Sequence, residues 1–115
     1  RKAWLLLMPN SYPEICSNTL LQARASGLPV IATPTGSIPE FLEDGKHGCL
    51  TRSTPLDLYF WWKEFAEETI KLAQNKEAHK VLSTECPIGV LSWETVAQMW
   101  SDYFNAIQVP EKVGV

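Results

Sequence analysis

The chain has 115 residues, 45% of them apolar and 20% charged, which suits one domain with a real hydrophobic core and excludes a disordered, collagen-like or disulfide-framework protein. Ten Lys and Arg against thirteen Asp and Glu give a net charge of −3, with the basic residues scattered, so the electrostatic footprint of a nucleic-acid binder is missing. The apolar run nearest a terminus, residues 3–8, is far shorter than the ~20 residues that span a bilayer and does not have the shape of a signal peptide.

Residues 3–8 read AWLLLM and stop at Pro9-Asn10, a continuous apolar run that predicts a strand buried on both faces of a parallel sheet. A helix is predicted from Asn18, with Ser17 or Asn18 as N-cap and Gly27 as its stop. PVIAT, residues 29–33, is short and β-branched and reads as a second buried strand. Gly36 marks a turn, residues 38–43 suit a short helix with Pro39 in its first turn, and residues 48–51 form a third short strand.

Beyond this point the pattern becomes helical. Ser53 or Thr54 is the expected cap of a helix that carries Leu58, Trp61, Trp62, Phe65, Thr69 and Leu72 on one face and ends at Asn75. A shorter helix is expected over residues 77–83. After Pro87 and Gly89 a last one starts at Ser92, with Trp93, Val96, Ala97, Trp100, Phe104 and Ile107 in a stripe that suits core or domain docking.

Strand, helix, strand within the first forty residues is a βαβ unit, so the fold class is α/β with a parallel sheet. Three parallel strands with an apolar LLLM strand at the margin would leave an unpaired edge. The expectation is therefore the second half of a Rossmann-like doubly wound sheet, followed by C-terminal helices, within a longer gene product.

The segment 9–33 joins the carboxyl end of a strand to a helix start, where open α/β sheets bind ligands. The amides of Ser17, Asn18 and Thr19 have no partner within the helix and sit at its positive end, which suits a diphosphate. Glu14 lies just before them. A carboxylate repels phosphate but accepts hydrogen bonds from hydroxyls, and sugar hydroxyls fit that description.

These residues carry a resemblance. Pro9-Asn10-Ser11, Glu14, then Gln22-Ala23 after seven residues, Ser26-Gly27-Leu28-Pro29-Val30, Gly36-Ser37-Ile38-Pro39-Glu40, Glu43-Asp44-Gly45-Lys46-His47-Gly48 and the helix from Ser92-Trp93 to Tyr103 follow in order. The pattern resembles the retaining, nucleotide-sugar-dependent glycosyltransferases of the GT-B fold, family four. The resemblance implies a partial C-terminal nucleotide-sugar-binding domain. Its βαβ core with the donor motif would cover residues 1–52, a helical segment 53–108 and a tail 109–115.

By the resemblance, Glu14 contacts hydroxyls of the transferred sugar and is the catalytic candidate. The amides of Ser17, Asn18 and Thr19 hold the donor diphosphate, Gln22 meets the ribose, and Cys16 belongs to the donor loop. The donor is a nucleotide-diphosphate sugar, with no metal and no other cofactor expected. The acceptor, a glycan or lipid-linked hydroxyl compound, would bind through an N-terminal domain outside this chain, which would be inactive alone. The family pattern has a second Glu at position 22 and often Gly-Phe-Gly after the first, where this chain has Gln22 and Ile15-Cys16-Ser17.

Blander roles stand beside these. Glu14 can be a solvated loop carboxylate, Gln22 a surface residue, Cys16 a space-filling loop residue and His47 a polar residue of a Gly-flanked turn. Residues 59–62, Tyr-Phe-Trp-Trp, suit packing against another part of the domain, or peripheral contact with a membrane. Cys16, Cys49 and Cys86, without CxxC spacing, fit a reducing cytoplasm, with the inner membrane face as a further setting. The alternative function is a non-catalytic half-domain that binds a nucleotide or a partner chain.

Overall fold

The computed structural model describes residues 2–85 and 91–107. Three short apolar stretches form strands β1 (Leu6–Met8), β2 (Val30–Ala32) and β3 (Gly48–Leu50). They are parallel and lie in the order β1-β2-β3. Leu6 is opposite Val30, and Val30 is opposite Gly48. Helix α1 (Asn18–Ala25) connects β1 to β2 and the short α2 (Ile38–Phe41) connects β2 to β3; α3 (Leu58–Gln74), α4 (Lys76–Glu85) and α5 (Trp93–Ala106) follow.

β2 is buried throughout because it lies between two strands and under helices on both sides. Side chains alternate across a strand. Val30 and Ala32 therefore join Met8, Leu20, Ala23, Ile38 and Leu42 on the face covered by α1 and α2. Ile31 joins Trp61, Phe65, Leu72 and Leu82 on the face covered by α3 and α4. Each such Leu, Ile or Phe contributes about 1.5–3 kcal/mol by leaving water. The arrangement is the predicted α/β class, with helices on both faces of a parallel sheet.

α1 begins and ends where its caps dictate. The Ser17 hydroxyl accepts the Leu20 N–H at 3.2 Å, taking one of the amides that a helix start leaves unpaired. At the other end Gly27 has φ 68°, while the Leu28 N–H donates to the Ala23 carbonyl at 2.9 Å and the Gly27 N–H to that of Arg24 at 3.0 Å. This is a Schellman stop, which needs the left-handed residue glycine supplies.

Some boundaries differ from the expectation. Of the run 3–8, Leu6–Met8 alone forms the strand, and β1 is an edge whose Leu7 stays 46% exposed instead of buried on both faces. With a strand neighbour on one side among the described residues, its outer side chain has less to pack against. α3 is capped by Asp57, which accepts the Phe60 N–H at 3.5 Å, not by Ser53 or Thr54. The amides of Arg52 and Ser53 are drawn instead to the Glu64 carboxylate, at 2.7 and 2.8 Å.

α4 extends over Lys76–Glu85 rather than 77–83 because Asn75 serves twice. Its N–H closes α3 on the Leu72 carbonyl and its side chain accepts the Ala78 N–H at 3.0 Å. α5 does start at Ser92, whose hydroxyl accepts the Thr95 N–H at 3.2 Å, but none of its residues is buried. Its stripe is surface, with Trp100 stacked on Phe104 at 5.5 Å. Cys86, Pro87, Gly89 and the tail 109–115 lie outside the described residues. No helix among the described residues is long and apolar enough to cross a membrane.

Candidate functional site

Because the three strands are parallel, their carboxyl ends share one edge of the sheet, and the loops after Met8, Ala32 and Leu50 all leave from it. That edge is where ligands of open α/β sheets bind. The first loop turns at once, with the Asn10 N–H donating to the Met8 carbonyl at 2.9 Å. The Asn10 side-chain amide then donates to the Glu14 carboxylate at 3.0 Å. Glu14 is half-buried.

The second loop reaches the same residue. The Ser37 N–H donates to the Glu14 backbone carbonyl at 2.7 Å. Gly36 has φ 58°, and a Cβ there would overlap the backbone of Glu14, so only glycine permits this approach without movement. The turn is tied to the sheet in its own right, since the Thr35 N–H donates to the Thr33 carbonyl at 2.8 Å and the Thr33 N–H to that of Met8 at 3.1 Å.

After Glu14 the chain passes the exposed Cys16 and enters α1. Ser17 is buried and its hydroxyl is committed to the cap, so its side chain is used structurally. Asn18 and Thr19, both exposed, are the first two helical residues, and their amides have no acceptor inside the helix. The first turn of α1 holds no acidic residue, which leaves its positive end uncompensated. Gln22 is exposed and stands one turn beyond Asn18, a spacing that puts the two on one helix face. Glu14, Cys16, Ser17, Asn18, Thr19 and Gln22 thus lie along one loop and helix start.

Other residues singled out by sequence lie away from this edge. His47 is buried; its Nδ1 accepts the Glu43 N–H at 3.3 Å and its Nε2 is 3.4 Å from the Arg24 guanidinium. Arg24 also donates to the Phe41 carbonyl, so the pair joins α1 to the segment after α2. Cys49 is half-buried; burial, reinforced by the charges of Glu68 and Asp44 against the opposing Lys71, pushes its thiol up to about 11. Of residues 59–62, Trp61 is core while Tyr59, Phe60 and Trp62 are exposed. Gly36 was read as a turn residue, and Asn10 and Ser37 were quoted in the motifs without roles; the contacts of Gly36 and Ser37 with Glu14, more than twenty residues away, had no local signal.

Comparison with known proteins follows the same outline. Residues 1–75 match the model of a family described as Glycosyl transferases group 1. A D-inositol 3-phosphate glycosyltransferase of Streptomyces avermitilis is 30% identical over 107 residues, which is 92% of this chain and 22% of that protein. The structure of Anabaena Alr3699/HepE in complex with UDP matches with a TM-score of 0.78 at 20% identity, over 90% of this chain and 28% of that one. The same protein in complex with UDP-glucose gives 0.76. A sucrose-phosphate synthase from Thermosynechococcus elongatus gives 0.70 at 20% identity, over 91% of this chain and 26% of its own. The chain therefore spans about a quarter of the length of the proteins it matches. These likenesses show a shared fold, part of the GT-B architecture.

Proposed function

We propose, given that the chain belongs to the glycosyl transferases group 1 family, that it is the donor-binding part of a retaining, family-four glycosyltransferase. The complete protein would move a sugar from a nucleotide-diphosphate donor to a hydroxyl acceptor. The observation that carries this reading is the joint position of Glu14 and the α1 start at the carboxyl edge of the sheet. A carboxylate that can accept from hydroxyls beside a helix end suited to an anion supports this reading. That the related structures hold UDP and UDP-glucose supports a nucleotide sugar as the ligand.

In this reading the Glu14 carboxylate accepts hydrogen bonds from hydroxyls of the transferred sugar and fixes its orientation. The amides of Ser17, Asn18 and Thr19 stabilise the charge that develops on the diphosphate as its bond to the anomeric carbon breaks. Gln22 accepts a hydrogen bond from the ribose, and Cys16 shapes the loop. Leaving-group charge is met by these amides and by cations elsewhere in the protein, without a metal. The anomeric configuration is kept. A glycan or lipid-linked acceptor enters through another domain, in the cytoplasm or at the inner face of a membrane, so the 115-residue chain alone does not transfer sugar.

Glu14→Ala in the complete protein is expected to lower turnover by about a hundredfold, the scale of losing an oriented contact at the reacting sugar. Turnover at the wild-type level would overturn the role given to Glu14. A second reading, a non-catalytic half-domain that binds a nucleotide or a partner chain, is favoured by the uncharged Gln22. Measured sugar transfer by the complete protein excludes it.

A further inference from the structure

Two contacts, one within its own loop and one from a turn distant in sequence, converge on Glu14. Asn10 lies at the end of β1 and donates to one carboxylate oxygen, Oε2, at 3.0 Å. The turn after β2 meets the backbone of the same residue, through the Ser37 N–H and the bare α-carbon of Gly36. That turn also holds two buried hydroxyls, Thr35 Oγ1 and Ser37 Oγ, with no hydrogen-bond partner. It keeps its backbone contact with Glu14 although the hydroxyls gain nothing from the protein there. Buried polar atoms are normally paired, so the shape of this turn answers to something other than its own hydrogen bonding.

We propose that Asn10 and Gly36 are positioning residues that preset the Glu14 carboxylate for the donor sugar. The proposal rests on the donor-contact role given to Glu14 above. A carboxylate on an unrestrained loop would sample several rotamers and pay to order itself each time a sugar binds. Here its side chain and its peptide are held separately. Asn10 fixes the side chain through Oε2 alone, so the second oxygen, Oε1, stays available to accept from hydroxyls.

The peptide is held by reference to the sheet. Met8 accepts from Thr33, Thr33 accepts from Thr35, and Ser37 donates to Glu14, a succession that ties the loop after β1 to the end of β2. Gly36 makes it feasible, since any Cβ at that position would push Glu14 away. Such presetting keeps a contact group within the narrow geometry that oriented binding needs.

The test uses the complete protein with UDP and UDP-glucose as probes, in the variants Asn10→Ala, Gly36→Ala and Glu14→Ala. The quantity read is the ratio of the two affinities, which isolates the sugar from the nucleotide. Asn10→Ala and Gly36→Ala are expected to lower the sugar's advantage about fivefold to tenfold, towards the Glu14→Ala value, with UDP affinity unchanged. A wild-type ratio in both, while Glu14→Ala lowers it, overturns the proposal. If Glu14→Ala leaves the ratio unchanged, the donor-contact role of Glu14 fails instead; in that case, or if UDP-glucose is not the nucleotide sugar bound, the clamp is judged by amide hydrogen exchange. Exchange at Ser37 about tenfold faster in Gly36→Ala, with Leu28 still protected, supports the clamp; unchanged exchange at Ser37 overturns it. If Gly36→Ala also loses protection at Leu28, it has unfolded, and Asn10→Ala decides: a rotamer of Glu14 altered in its crystal structure supports the clamp, and an unaltered one overturns it.

Discussion

The indole Nε1 of Trp61 donates to the Thr33 hydroxyl at 2.9 Å inside the core, joining the first turn of α3 to the end of β2. Thr33 also takes part in the backbone link between β1 and the turn that meets Glu14. One buried hydrogen bond therefore connects the helical part of the chain to the edge of the candidate site.

Trp61→Phe removes this donor, leaves the Thr33 hydroxyl buried and unpaired, and opens a small void. A loss of about 2–3 kcal/mol in unfolding free energy is expected, read as a lower urea midpoint at unchanged slope. A loss below about 0.5 kcal/mol would mean that water or a rotated Thr33 replaces the indole.

Glu64 makes the stability of the 52–53 loop depend on pH. Partial burial pushes its carboxyl up, but the amides of Arg52 and Ser53, the Ser53 hydroxyl and the nearby Arg52 guanidinium together hold it below the ordinary glutamate value. A depressed folded-state pKa means stability that is present above the unfolded carboxyl's value and is lost as pH falls through the folded one. Glu64→Gln should flatten the acid side of the stability-pH curve without altering it near neutrality in slope. Parallel curves for the two proteins from pH 6 to pH 2 would contradict this.

Gln22→Glu restores charge at the ribose position of the proposed donor site. A carboxylate accepts more strongly than an amide oxygen, by about 1 kcal/mol, so nucleotide-sugar affinity should rise about fivefold in a titration calorimeter. Equal affinities would remove Gln22 from the donor contacts.

Much of the site was legible because its signals are local. Ser17 caps α1, Gly27 stops it, and Glu14 stands before the helix start; each depends on neighbours a few residues away. β2 was legible from the compact run VIA. The start of α3 was not, because Glu64, a full turn inside the helix, captures the amides of residues 52 and 53. The same holds for His47, a turn residue whose surroundings include Arg24 of α1. The aromatic stripe of α5 has helical periodicity that belongs equally to a core helix and to a surface one, and among the described residues it is surface.

By itself the sequence determined the α/β class, the order of its elements and the stretch that forms the candidate site, since capping, turn chemistry and apolar runs act over a few residues. Tertiary structure alone decided that Trp61 is core while Trp62 is not, and that Gly36 and Ser37 meet the backbone of Glu14. Those outcomes depend on which loops the parallel strands bring to one edge of the sheet, and that pairing is set by packing between segments that share no local signal.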